Sequence, residues 1–409
     1  MTVAQPSNII ATMVQEYWDN ELYADSLQQD IFSSLTTVFD ETVDIPIPND
    51  ALVMSANLPV NGERAAHLGF LKSLQGGGQE GDLAVQIGNE ETLRTRDMTA
   101  YFNEFSHAVS GWNYGIHAHD AKPYGIYDPQ MKKATMLLSD HANEKRGLYR
   151  RQALLERLSQ NLTASPHSFT QTWNPNWYVK NLRDSQQPAY STNNATHTAN
   201  IVNALLTAGT GINAALDGHY LLALSNWAKA QRIEPLIING KKRYILTVPS
   251  EQTIWFSSLD IAGSGGSWWS SYARLNDEES LSFPGLLGEW KNILLVEDER
   301  APTLTIGGSA APFTLTANYL FPGNVDNRDE TDTARQVGFL LGKAPLIEWE
   351  PVKIHHRYED FNYEKWIGKG YFGMIGDTLR MYDQGTPTNT SFEQHSCIVC
   401  PFARNATYN

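Results

Sequence analysis

DPQMKKATMLLSDHANEKRGLYRRQALLERLS, Asp128 to Ser159, is the stretch whose reading decides the fold. Asp128 is a capping residue type, and Pro129 suits the first helical position, where its missing N–H costs nothing. Met131, Ala134, Leu137, Leu138, Ala142, Leu148, Leu155 and Leu158 then recur at near-helical spacing, with Lys, Arg, Asp and Glu between them. Uninterrupted, this helix would be roughly 45 Å long at about 1.5 Å per residue. Globular helices average about 11 residues, so it is an outlier. It is either a long surface helix of an enzyme or a spine along which a flat, extended subunit is laid out. Gly147 is its weak point and the place to expect a kink.

Upstream, residues 1–60 read as an arm. Ile10, Val14, Tyr17, Trp18 and Leu22 form an amphipathic stripe, and Ile31, Phe32, Leu35, Val38 and Phe39 a second. DIPIPND follows, where Pro46 and Pro48 forbid helix and favour extended chain. Such stripes need another surface, on this subunit or on a neighbour. Residues 61–110 have strand-like ends around Gly76, Gly77, Gly78 and Gly81, which predicts a long hairpin with a flexible tip. A phosphate-binding loop fails here, because no Gly-Lys-Ser/Thr follows.

Downstream, Leu221, Leu222, Leu224, Trp227 and Ala228 predict a buried helix. PLIINGKKRYILTV carries Asn239-Gly240 between apolar, β-rich runs, the signal of a tight hairpin. AGSGGSWWS, residues 262–270, is a glycine-rich loop bearing Trp268 and Trp269, residues enriched at protein contacts. FPGNVDNRDETDT, residues 321–333, marks an exposed crossing.

With 409 residues, 41% of them hydrophobic, the chain can bury a core in two or three domains. The formal charge of −14 argues against adhesion to nucleic acid or anionic membranes, though not against enclosing nucleic acid. No apolar run approaches the ~20 residues of a membrane span. MTVAQPSNII lacks the parts of a signal peptide, so production in a cytoplasm is expected.

Chemistry-bearing patterns are sparse. Cys397 and Cys400 form a single CxxC near the end, read as two ordinary thiols rather than a redox or zinc site. His117, His119 and Asp120 lack an identifiable third ligand. Glu297 with Asp298, and Glu359 with Asp360, would face opposite ways on a strand and make poor catalytic pairs. No metal and no cofactor is expected. His355, His356 and Arg357 read as a polar loop or an intersubunit contact. The basic cluster Lys145, Arg146, Arg150 and Arg151 is expected to meet acids of a neighbouring subunit rather than DNA. The rival reading is a soluble enzyme such as a carbohydrate hydrolase using paired carboxylates, with Trp268 and Trp269 as a sugar platform.

Leu74 to Gly78, Gly81-Asp82 and Gly88 to Glu91 with Leu93 together resemble a signature of a tailed-phage major capsid family, typified by the coliphage called N four. KKRYILTVPSEQ (Lys241 to Gln252), FPGLLGEWKNILLVED (Phe283 to Asp298), GFLLGKAPL (Gly338 to Leu346) and YEDFNYEKWIGKGYFGM (Tyr358 to Met374) are similar to later blocks of that family, in order. The resemblance covers roughly residues 60–385.

It implies an α+β chain with the Hong Kong 97 fold. The arm would be 1–60, an extended hairpin called the E-loop 61–110, and a peripheral domain with the spine helix 111–163. The axial domain would be 164–335, and 336–409 would return to the peripheral domain and the C-terminus. The function implied is a major capsid protein that self-assembles into pentamers and hexamers, forming the icosahedral head around the phage's double-stranded DNA. Portal, scaffolding and decoration proteins are the further partners implied, and the virion is the location. Glu90, Glu91, Arg94 and Arg96 beside the hairpin tip are expected to form intersubunit salt bridges. Gly76, Gly77, Gly78, Gly81, Trp268 and Trp269 are expected at subunit contacts.

Overall fold

The structure is a computed structural model. It describes residues 31–32, 36–38, 52–56, 65–71, 95–112, 130–161, 168–173, 177–178, 216, 218–238, 240–250, 252–253, 285–307, 314–318, 334–361, 366–380, 382–383, 392–393 and 396–403.

In chain order the elements begin with β1 (Thr36–Val38), β2 (Val53–Ala56), β3 (Ala65–Leu71), β4 (Thr95–Tyr101) and β5 (Asn103–Trp112). Then come α1 (Gln130–Leu155), β6 (Glu156–Asn161), β7 (Ser168–Trp173) and α2 (Gly218–Ala230). A run of strands follows: β8 (Leu236–Ile238), β9 (Lys241–Pro249), β10 (Leu286–Trp290), β11 (Ile293–Asp298), β12 (Thr303–Gly307) and β13 (Thr314–Asn318). The chain closes with β14 (Ala334–Leu341), β15 (Leu346–Phe361), β16 (Trp366–Leu379), β17 (Tyr382–Asp383), β18 (Phe392–Glu393) and β19 (Cys397–Ala403).

Two sheets dominate. One has five strands in the order β1-β2-β15-β16-β5. The other has eight, with the path β10-β11-β9-β14-β12-β13, β19 beside β14 and β8 beside β9. Of the eight-stranded sheet, β9, β11, β14 and β19 read as near-continuous apolar runs because both their faces are covered. Alternate residues go to two different cores. Ile245, Leu294, Val296, Val337, Phe339, Cys397 and Val399 join one cluster. Tyr244, Leu246, Val248, Ile293, Leu295, Leu340, Ile398 and Cys400 join the other, under Leu221, Leu224 and Ala228 of α2. The first cluster is closed by Ala153, Leu154 and Leu155 of α1, by Phe32, and by Val53, Leu346 and Leu379 of the five-stranded sheet. The C-terminal turns of α1 are therefore wedged where the two sheets meet.

The earlier part of α1 lies on the five-stranded sheet, where Leu138 and Ala142 pack with Phe105, Ile354, Tyr371 and Ile375. The helix runs through Gly147 as one element of 26 residues but stops at Leu155. Residues 156–159, expected to be helical, are the start of β6, which pairs with β7 from Glu156↔Trp173 to Asn161↔Ser168. A cross-strand partner outcompetes one more helical turn there, as tertiary context commonly does. Leu137, expected on the apolar seam, is 64% exposed beside Met136 at 68%. Of the predicted buried helix, Leu221, Leu224 and Ala228 are buried and Leu222 is exposed.

The Asn239-Gly240 hairpin is present. Ile238 pairs with Lys241, and Gly240 has φ +73°, the left-handed conformation glycine tolerates without strain. β3 and β4 pair antiparallel from Ala65↔Tyr101 to Leu71↔Thr95, so the two ends of the predicted hairpin do meet. Its glycine tip lies outside the described residues. His355, His356 and Arg357, expected in a polar loop or at an intersubunit contact, are extended within β15 rather than in a loop. Among the described residues no helix is long and apolar enough to cross a membrane.

Candidate functional site

The expected basic cluster is a site of a different kind from the one its sequence suggested. Arg146, Arg150 and Arg151 are buried, and their acids belong to this chain rather than to a neighbour. Spacing places Arg146 and Arg150 one turn apart, on one helix face. That face meets β15. Arg146 NH2 lies 3.1 Å from Glu348 Oε1 and also contacts Glu350, while Arg150 Nε donates to Glu348 Oε2 at 2.8 Å. Arg151 points towards the other sheet. Its Nε and NH2 grip Asp298 at 2.9 and 2.7 Å, its NH1 donates to Gly147 O at 2.9 Å, and its guanidinium covers Phe32. One helix end is thus pinned by ion pairs to both sheets.

The charges have a definite balance. Burial would raise Glu348, but the Arg146 and Arg150 guanidiniums outweigh it and hold the carboxyl at about 2. Asp377 is the register partner of Glu348 across β15 and β16, and both its carboxyl oxygens are buried. Burial and the adjacent Glu348 charge push Asp377 well above its usual range, despite the two guanidiniums. Two guanidiniums therefore face Glu348 and Glu350, with Asp377, which holds its proton more tightly than usual, beside them. Sequence reasoning found the arginines and missed Glu348, Glu350 and Asp377. The signal available was the pair of acids, two apart, in the apolar strand LIEWEPVKI.

Nearer its N-terminus α1 carries a second polar contact. His141 Nδ1 lies 2.8 Å from the Tyr371 hydroxyl, and its ring stacks on His107 of β5 with centroids 4.1 Å apart. Burial, then the charges of His107 and Lys145, hold His141 down at about 4. Cys397 and Cys400 are buried free thiols on opposite faces of β19, one in each core. Burial pushes the Cys400 thiol up to about 12, so it is an inert packing residue. Among the described residues no cluster of His, Cys, Asp or Glu could hold a metal ion.

Of the residues expected at subunit contacts, Arg96 lies in β4, its backbone paired with Phe70. Gly76, Gly77, Gly78, Gly81, Glu90, Glu91, Arg94, Trp268 and Trp269 lie outside the described residues, as do His117, His119 and Asp120. Asp298, considered as a catalytic acid, is occupied by Arg151.

No protein-family model matches the sequence, and no curated protein does either. Solved structures do match along nearly the whole chain. A chain of the capsid of Ralstonia phage GP4 is 12% identical with TM-score 0.59, over 89% of this chain and 91% of the other. One from the cyanophage Pam1 capsid asymmetric unit is 11% identical with TM-score 0.54, over 93% of each. One from the head of Helicobacter pylori bacteriophage KHP40 is 15% identical with TM-score 0.52, over 92% and 91%. The mixed α+β architecture, mostly sheet, is thus a fold that this chain shares with these phage capsid and head chains.

Proposed function

We propose that this chain is a major capsid protein, which assembles with copies of itself into the pentamers and hexamers of an icosahedral phage head. The observation that carries the reading is fold likeness to capsid and head chains over about nine-tenths of both partners. The role is structural rather than catalytic, and the virion is its place. The shell would enclose double-stranded DNA, and the net charge of −14 keeps the subunit from adhering to it. Portal, scaffolding and decoration proteins are its further partners in this reading.

In the Hong Kong 97 layout, α1 is the spine helix and the β3–β4 hairpin the stem of the E-loop. The domain divisions are the arm at 1–60, the E-loop at 61–110, the peripheral domain at 111–163 and the axial domain at 164–335. Residues 336–409 return, and they supply strands to both sheets. A two-stranded ribbon is marginal alone, which suits a hairpin that rests on a neighbour. Gly76, Gly77, Gly78, Gly81, Glu90, Glu91, Arg94, Arg96, Trp268 and Trp269 are the proposed contact residues. Many weak contacts made at once give a stable shell.

Sedimentation and negative-stain electron microscopy of the purified chain test this. Capsomers or shells are the expected result. A chain that stays monomeric at high concentration, also with co-expressed phage head proteins, overturns it.

A further inference from the structure

Arg146, Arg150, Arg151, Arg243, Arg300 and Arg380 each meet a carboxylate of the same chain. Among the described residues Arg357 meets none. It lies exposed on β15, yet its guanidinium is held in place. Nε donates to His355 Nε2 at 3.2 Å, and the group sits over the Phe372 ring, 5.7 Å from its centroid. His355 is itself fixed: Nδ1 donates to Lys353 O at 3.1 Å, and the ring packs edge-on against Phe372. Both terminal nitrogens of Arg357 remain to receive an anion in the bidentate geometry that guanidinium favours.

The surroundings suit an extended chain. His356, Tyr371 and His107 are register partners on the α1 side, so Arg357, Gly370 and Ala108 lie on the opposite face. Gly368 faces Glu359 and Ser110, so small residues lie alongside the guanidinium.

We propose that Arg357 is a carboxylate-docking site on the face of the five-stranded sheet turned away from α1, occupied by the acidic N-terminal segment of a second copy. This rests on the reading of the chain as a shell subunit. The segment before Ile31 carries Glu16, Asp19, Glu21, Asp25 and Asp30 and neither Lys nor Arg. Ile31 and Phe32 are anchored in the core, with Phe32 beneath Arg151, on the α1 side of the sheet. Ile31 is thus held on the face away from Arg357, which favours a second copy as the source of the acidic segment. Phosphates of nucleic acid are the poorer occupant, since a single guanidinium in a −14 protein gains little from a polyanion.

The test uses full-length chain. A photo-crosslinking residue replaces Glu359, beside the site, and shells are formed from mixed light and heavy isotope-labelled subunits. Crosslinks between copies, from position 359 to residues 1–30, are expected. Crosslinks within one copy, to other segments or to nucleic acid overturn the proposal. In parallel, Arg357→Gln should raise the concentration needed for assembly about tenfold with unchanged circular dichroism. It should have no further effect when Glu16, Asp19, Glu21, Asp25 and Asp30 are all changed to their amides. Shells whose formation ignores both changes reject the docking site and leave the capsid reading standing, whereas wild-type chain that forms no shells rejects the capsid reading itself.

Discussion

Arg150 shows what one residue position decides. Its guanidinium is buried against Glu348, so Arg150→Met removes a cation and leaves the buried Glu348 and Glu350 to share Arg146 alone. The expected loss is about 3–5 kcal/mol, read from urea unfolding midpoints. Asp377 has the opposite sign. Its folded pKa is raised, so the folded chain binds a proton that the unfolded chain releases. That contribution is fully present below the ordinary Asp value, about 3.9, and is lost as pH rises through the folded value. Asp377→Asn should therefore be more stable than wild type above neutral pH, with the difference vanishing in acid. Denaturation curves between about pH 3 and 9 check it. The cysteines give a plainer outcome. Cys397 and Cys400 should resist a thiol reagent at pH 8 in the native chain and react together in denaturant. At this scale the sequence identified the charged groups but not their partners. Glu348 and Arg150 are 198 positions apart, and no local pattern encodes that meeting.

Elements were easier to foresee where the signal was local. Asn239-Gly240 predicted its hairpin because backbone sterics alone decide that turn. Gly240→Ala should cost only about 1 kcal/mol, since a Cβ there meets no atom and suffers only the left-handed conformation. Gly338→Ala is a harsher change. Its Cβ would lie 2.2 Å from Thr247 O between two paired strands, so the variant should be insoluble or fail to fold. Comparing soluble yields of the two variants separates turn strain from backbone crowding. The end of α1 was misread for a matching reason: nothing in ERLSQN says that SFTQTW will pair with it. The apolar runs of β9, β11 and β14 gave strand type but not order, because strands buried on both faces carry no alternation to orient them.

At the scale of the whole molecule, the order of motifs carried the fold expectation, and long-range pairing supplied the rest. The proposed E-loop gives a direct check. Deleting residues 76–81 should abolish shells in electron micrographs while leaving the far-ultraviolet circular dichroism of the subunit intact. Normal shell yield would remove the hairpin from the assembly scheme. The exposed Leu137, which the sequence pattern had placed on the apolar seam, and Met136 beside it add an apolar spot to α1.

β2, near the start of the chain, lies parallel to β15, Val53 beside Leu346, and β5 waits in the same way for β16. The ribosome must deliver nearly every codon's residue before this sheet can close. At about 5–20 residues per second that delay is on the order of tens of seconds. The sheet thus stays open until translation is almost done, and in the proposed role as a shell subunit half-made chains would have no finished lattice surface with which to poison a growing particle.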